Sequence, residues 1–211
     1  MVLMYRIILI LYGYGLKKLK YYPYDKGMTG LIWEWYQQGD SEPLMDALLE
    51  IGDGKDPVPL QGMMGILEDT LDIEMVALIL ETLLKRIQDV DDVLINVWYP
   101  KGSDVVKRHI ITVLSQALCS KYFQFLLDEY FNNPYMRPNI RKQAFKGKTY
   151  LLMNLARYFE SIPTNYDNVV IAQQILRTIP RETMVASAGA FTGTKLLDVY
   201  YAMPPEDREK N

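Results

Sequence analysis

The sequence predicts an all-α protein, arranged as a short right-handed α-solenoid of helical pairs. Apolar residues recur at intervals of three and four along most of the chain, which is the spacing of one helix face. No stretch after the first fifteen residues alternates as a half-buried strand does. With 211 residues, 49% of them hydrophobic, the chain is long enough for one core or for a stack of about four to six helical pairs. A compact irregular helical bundle is the alternative arrangement.

The first 39 residues differ in composition from the rest of the chain. Residues 2–16 are almost wholly apolar, and Lys17, Lys18 and Lys20 follow them. The apolar run is shorter than the roughly 20 residues of a transmembrane helix. Its positive charge follows the apolar part, whereas a signal peptide carries that charge first. We therefore interpret 1–39 as an apolar and aromatic segment packed on the main domain, with a membrane anchor in residues 1–20 as the alternative.

Start signals and apolar stripes divide the predicted main domain, 40–202, into helices. Asp40 and Asp72 are expected to cap the helices that follow them, because a carboxylate accepts hydrogen bonds from the free N–H groups of a helix start. The sequence also predicts a polar turn at 89–92 and a polar tail at 203–211. The predicted helices cover 31–36, 43–51, 57–67, 72–87, 93–98, 106–117, 122–131, 138–159, 169–179 and 183–201.

One helix-start pattern recurs along the chain. It is clearest in 138–147, which has the form P-x-I-R-x-x-A-x-x-G, and related patterns begin near residues 72, 103 and 181. A helical pair cannot bury its own apolar faces, so pairs that recur every 30 to 45 residues or so are typical of a solenoid. The pattern resembles the second helix of HEAT and armadillo-like repeats, D-P-x-V-R-x-x-A-x-x-A-L, with Arg137 in place of the aspartate. The resemblance implies a HEAT-like repeat domain that acts as a binding surface.

Residues for catalysis or metal binding are scarce. The chain has one cysteine, Cys119, and one histidine, His109, so an internal disulfide, a histidine-based zinc site and a Ser-His-Asp triad receive no support. The Gly147-Lys148-Thr149 triplet lacks the earlier glycine of a phosphate-binding loop and lies in a predicted helix. We expect no enzymatic activity, cofactor or metal. The single cysteine is typical of a reducing compartment, so we expect a cytoplasmic protein.

Charge is distributed unevenly along the chain. Residues 40–92 hold fourteen acidic and three basic side chains, whereas residues 101–160 hold ten basic and four acidic ones, although the net charge of the chain is only −3. Basic stripes of this kind bind carboxylates or phosphates. The predicted binding residues are Lys107, Arg108, Arg137, Arg141, Lys142, Lys146 and Lys148.

These features favour a non-enzymatic protein–protein interaction module or scaffold, whose partner is another protein with an acidic surface. One alternative is a HEAT-like DNA glycosylase or other nucleic-acid-binding protein. Trp98, beside Asp91 and Asp92, is the nearest imitation of such a glycosylase site, and the acidity of the chain argues against it. The other alternative is an adaptor tethered to a membrane by residues 1–20.

Overall fold

The computed structural model describes residues 26–146 and 148–209, and all regular secondary structure in these ranges is helical. The prediction of an all-α protein is thereby confirmed. The predicted features of residues 1–25, including the possible anchor, lie outside the described residues. Contacts divide the chain into two compact units, Met1–Val113 and Leu114–Asn211, so the predicted domain 40–202 includes parts of both.

The first unit consists of sequential helices joined by short connections. Its last helix, α6, crosses the boundary between the units. The helices are α1 (Lys26–Gln38), α2 (Ser41–Asp53), α3 (Leu60–Asp69), α4 (Ile73–Lys85), α5 (Ile87–Val93) and α6 (Asp104–Gln116), and α5 continues through a π-helical turn (Leu94–Trp98) into a last turn (Tyr99–Lys101).

Helices two apart in sequence pack against each other in the first unit. Helix α1 contacts α3, and α2 contacts α4. Near the start of the α2–α4 contact, the Thr82 hydroxyl donates to the Leu48 carbonyl at 3.1 Å. Further along, Lys85 Nζ donates to Asp53 Oδ1 at 3.0 Å. Because later residues of one helix meet later residues of the other, α2 and α4 run parallel.

Glycine permits the close approach of α1 and α3. A Cβ atom at Gly65 would lie 3.2 Å from the Trp33 ring, closer than such contacts ordinarily are. The sequence pattern indicated only that Gly65 weakens its helix. In the structure, the missing side chain makes room for an indole of α1.

The two predicted caps of the first unit have different outcomes. Asp72 Oδ1 accepts hydrogen bonds from the backbone N–H groups of Glu74 (2.9 Å) and Met75 (3.4 Å), which confirms it as the N-cap of α4. Asp40 precedes α2 in the N-cap position, but its side chain makes no capping hydrogen bond. The predicted start of α2 is right, and the predicted chemistry of its cap is not.

The polar turn predicted at 89–92 is wrong, since these residues lie within α5. The chain instead breaks one residue before α5, at Arg86, which is buried. Its guanidinium donates to the carbonyls of Ile51 (2.8 Å) and Asp56 (2.9 Å) and to the Asp89 carboxylate (2.6 Å). These bonds satisfy one carbonyl in the last turn of α2 and one just after that helix, and they fix the α4–α5 corner. The acidic residues at 89–92 give no sign in the sequence that Arg86 binds carbonyls 30 and 35 positions earlier.

The second unit also consists of sequential helices. Helix α9 contacts α7, α11, α12 and α13, and α13 also contacts α10. The helices are α7 (Ser120–Asn132), α8 (Arg137–Ala144), α9 (Lys148–Ser161), α10 (Tyr166–Leu176), α11 (Arg181–Ala186), α12 (Ala188–Phe191), α13 (Lys195–Tyr201) and α14 (Pro205–Glu209).

Hydrogen bonds set a regular register between α7 and α9. The hydroxyls of Ser120 and Tyr150 lie 3.3 Å apart, and Gln124 Nε2 donates to the Asn154 carbonyl at 3.1 Å. One turn further on, Tyr158 donates to Asp128 Oδ1 at 2.9 Å. The two members of each pair are 30 positions apart, so α7 and α9 lie parallel, with the same register over about two turns.

The long helix predicted for 138–159 is two helices. Helix α8 ends at Ala144 and α9 begins at Lys148. Phe145, between them, is buried with its ring centroid 4.9 Å from that of Tyr130. Burial of this aromatic ring against α7 accompanies the end of α8, and apolar periodicity alone does not distinguish a corner from a continuous helix.

The single helix predicted for 183–201 is likewise wrong, because α11, α12 and α13 occupy this region. Gly193 has a φ of +79°, a conformation that interrupts a helix. The hydroxyls of Thr192 and Thr194 donate to the carbonyls of Ala188 and Phe191, and such local bonds compete with helical ones. The predicted polar tail, 203–211, contains helix α14.

Candidate functional site

The predicted basic residues fall in both units. Lys107 and Arg108 lie on α6 within the unit that ends at Val113, and the other five lie in the unit that begins at Leu114. Lys107 is half-buried, with its Nζ 5.9 Å from the centre of the Tyr99 ring, whereas Arg108 is exposed. A cation over an aromatic face is stabilised by the ring quadrupole, which gives Lys107 a role in packing.

Arg137 has a clear structural role. Its Nε donates to the carbonyl of Tyr130 at 2.8 Å, and its Nη2 donates to that of Phe131 at 3.0 Å. Its guanidinium carbon lies 5.9 Å from the centre of the Tyr130 ring. These carbonyls belong to the last turn of α7, so Arg137 caps the C-terminal end of that helix. Arg86 plays a similar part at the end of α2.

The remaining four basic residues form what we call the basic corner: Arg141, Lys142, Lys146 and Lys148. They lie within eight positions where α8 ends and α9 begins. Arg141, Lys142 and Lys146 are exposed, and Lys148 is half-buried. Arg141 lies in the last turn of α8, and Lys148 is the first residue of α9.

The surroundings of Lys148 in the basic corner disfavour its charged form. Burial lowers the pKa of Lys148, and the positive charge of Arg141 lowers it further. Within the described residues, no side chain of the corner forms an ion pair or a hydrogen bond. Two cations are thus held close together, one of them partly removed from water, without a carboxylate to neutralise them.

Tyr130 connects the corner to the core of the second unit. Burial raises the pKa of the Tyr130 hydroxyl, while the charges of Arg141 and Arg137 lower it. Both arginines therefore act on this hydroxyl. Arg137 is hydrogen-bonded to the end of α7, whereas Arg141 has no partner among the described residues. Arg137 and Arg141 thus both act on Tyr130, and Arg141 also acts on Lys148.

The lone histidine and the lone cysteine are both half-buried. His109 is half-buried, and desolvation lowers the pKa of its imidazole. Cys119 is a half-buried free thiol at the N-cap of α7. In the described ranges, 26–146 and 148–209, no three His, Cys, Asp or Glu side chains are grouped as metal ligands would be.

Sequence reasoning missed one concave site in the second unit. A pocket of about 500 Å³ lies among α11 to α14, and Arg181 and Arg208 both line it. These arginines are 27 positions apart and belong to no recognisable motif, so no pattern in the sequence indicated that both line one pocket.

No family model matches this sequence, and neither the curated proteins nor the solved structures gave a significant match. Function must therefore be argued from the site itself. Among the helices that the structure describes, none combines the length and the apolar character that crossing a bilayer requires.

Proposed function

We propose that this protein is a non-enzymatic interaction module that binds an acidic surface of another protein through the basic corner. The proposal rests on one observation. The positive charge of Arg141 lowers the pKa of the half-buried Lys148, and neither residue has an anionic partner among the described residues.

The repulsion between the charges of Arg141 and Lys148 indicates which group a partner would supply. Like charges at neighbouring helix positions destabilise a protein by a few tenths of a kcal/mol when water screens them. The repulsion increases as the charges are desolvated, because the local dielectric falls. A carboxylate placed between Arg141 and Lys148 converts the repulsion into two charge-assisted contacts, and the guanidinium of Arg141 can hold both carboxylate oxygens.

A helical-repeat scaffold suits this function. In both units, helices two apart in sequence run parallel, and side-chain hydrogen bonds join residues 30 to 35 positions apart. Stacked helical pairs produce this separation, so the parallel packing supports a HEAT-like α-solenoid arrangement within each unit. Repeats of that kind present extended surfaces on which a cluster such as the basic corner is accessible to a large partner.

The test compares two polyanions with different chemistry. The full-length protein is titrated with poly-L-glutamate and, separately, with double-stranded DNA at low and moderate salt. The variant Arg141→Gln/Lys148→Gln is expected to bind poly-L-glutamate at least about tenfold more weakly than the unchanged protein, since it loses two charge-assisted contacts. The matched control, Arg157→Gln/Lys101→Gln, removes one exposed arginine and one exposed lysine elsewhere and should change the affinity less than about twofold.

Two outcomes would contradict the proposal. Equal losses in the two double variants would show that only net charge matters. Tighter binding to DNA than to poly-L-glutamate, lost in Arg141→Gln/Lys148→Gln, would move the protein to the nucleic-acid-binding class, which is the glycosylase-like alternative.

The alternative of a membrane-tethered adaptor depends on residues 1–20, and full solubility of the intact chain without detergent would exclude it.

A further inference from the structure

The pocket in the second unit combines an apolar floor with cationic walls. Its floor includes Met184 and Phe191, which are only 4% and 3% exposed. Val185 and Tyr201 line the same pocket and are 68% and 61% exposed, so this end opens to solvent. A volume of about 500 Å³ is within the range of small-molecule sites. Exposed apolar side chains around a buried apolar floor are typical of a surface that a ligand covers.

Arg208 supplies the polar feature of the pocket. Its Nε atom is buried and has no hydrogen-bond partner among the described residues. Its guanidinium carbon lies 6.0 Å from the centre of the Tyr201 ring, which keeps the side chain along the pocket wall. A buried N–H group without an acceptor is costly, because it has lost water and gained nothing in return.

The charge of the pocket is one-sided. Two arginines line it, Arg181 and Arg208, and the lining includes no carboxylate. The nearby Asp207 does not neutralise them, since it pairs with Arg177 at 2.9 Å. The buried Nε atom has no surface that a ligand could reach, but Arg208 lines the pocket with Arg181, so an anion in the pocket meets two positive charges and no carboxylate of the lining.

We infer that this pocket binds a small organic carboxylate with an aromatic body. The carboxylate pairs with the guanidinium of Arg208, and Arg181 adds a second positive charge at the wall. The aromatic body covers Met184 and Phe191, where ring–ring and sulfur–ring contacts are both favourable. This site differs from the basic corner, so failure of either proposal leaves the other standing.

The experiment uses 4-phenylbutyrate as the probe and the full-length protein labelled with nitrogen-15. Saturable binding with a Kd below about 1 mM is expected, together with a shift of the arginine Nε–H signal that disappears in Arg208→Lys. The neutral 4-phenylbutanol lacks the carboxylate, and butyrate lacks the aromatic ring. Each should therefore bind about tenfold more weakly than 4-phenylbutyrate.

Variants separate the pocket from general charge effects. Arg208→Gln should weaken 4-phenylbutyrate binding by about tenfold or more. Val185→Asp, at an exposed position that tolerates the change, should also weaken it through repulsion, even if Arg208→Gln does not fold. Arg157→Gln removes an exposed arginine of the same unit outside the pocket and should leave the affinity unchanged. No saturable binding by the unchanged protein, or equal binding by Val185→Asp, would overturn the inference.

Discussion

The Tyr158 hydroxyl donates to Asp128 Oδ1 at 2.9 Å. This bond is the last of three that join α9 to α7, and in each of them the two bonded residues are 30 positions apart. Tyr158 is buried, and desolvation, followed by the nearby Asp128 carboxylate, raises the pKa of its hydroxyl. The hydroxyl therefore stays protonated and remains a donor throughout the neutral range. The stability from this bond is present below the ordinary tyrosine pKa of about 10 and falls only when the pH rises beyond it.

Replacing Tyr158 with phenylalanine tests the register between α7 and α9. Tyr158→Phe removes the hydroxyl and keeps the ring, so we expect the free energy of unfolding to fall by about 1 kcal/mol in urea titration. Tyr135→Phe is the control, because the Tyr135 side chain is 88% exposed and has no hydrogen bond among the described residues. Equal stability of the two variants would show that the Tyr158–Asp128 bond contributes nothing.

The two aspartates before α2 and α4 form a matched pair for capping. Asp72→Ala should lower the free energy of unfolding by about 1 kcal/mol, since two backbone N–H groups of α4 lose their acceptor. Asp40→Ala should change it by less than about 0.5 kcal/mol, because Asp40 accepts no capping hydrogen bond. Thermal unfolding followed by circular dichroism measures both, and an Asp40→Ala variant that loses as much as Asp72→Ala would contradict the difference.

Lys148 should show opposite effects on stability and binding. Lys148→Gln removes a charge that both burial and Arg141 disfavour, so the melting temperature should rise slightly, by an amount equivalent to a few tenths of a kcal/mol. The same variant should bind poly-L-glutamate more weakly. Lys101→Gln, at an exposed position, should alter neither property. A fall in both stability and affinity would instead identify Lys148 as a structural residue.

His109 makes the stability of the chain depend on pH in a defined window. Desolvation lowers the pKa of the folded imidazole, so the unfolded chain binds the proton more readily. The stabilisation by neutral His109 is fully present above the unfolded pKa of about 6.5 and is lost as the pH falls through the folded pKa. Melting temperatures measured from pH 7.5 to 5 should therefore fall more steeply for the unchanged protein than for His109→Gln. Parallel curves would show that His109 does not contribute.

Local chemistry could be predicted from the sequence where one residue decides it. The apolar stripe Leu44, Ala47, Leu48 and Ile51 is buried as its spacing indicates, and Asp72 caps α4 as a carboxylate before a helix should. Gly39, with a φ of +69°, ends α1 where the sequence predicted a stop.

Features that depend on distant partners could not be predicted. Arg86 fixes a helix corner through carbonyls 30 and 35 residues earlier, so its role is invisible in the local pattern. Arg137 resembles the other basic residues in sequence, yet the end of α7 occupies it. The basic corner itself was half predicted. Its residues were predicted, but Arg141 and Lys148 lie on two different helices, which the apolar period did not separate.

The separation of 30 residues between paired positions of α7 and α9 also bears on how the second unit folds. Each contact closes a loop of modest length, and the entropy of loop closure grows only slowly with length. Chains whose contacts are local in sequence refold in microseconds to milliseconds, roughly, whereas chains dominated by distant pairings take longer. We therefore expect α7 and α9 to pair early when the second unit refolds.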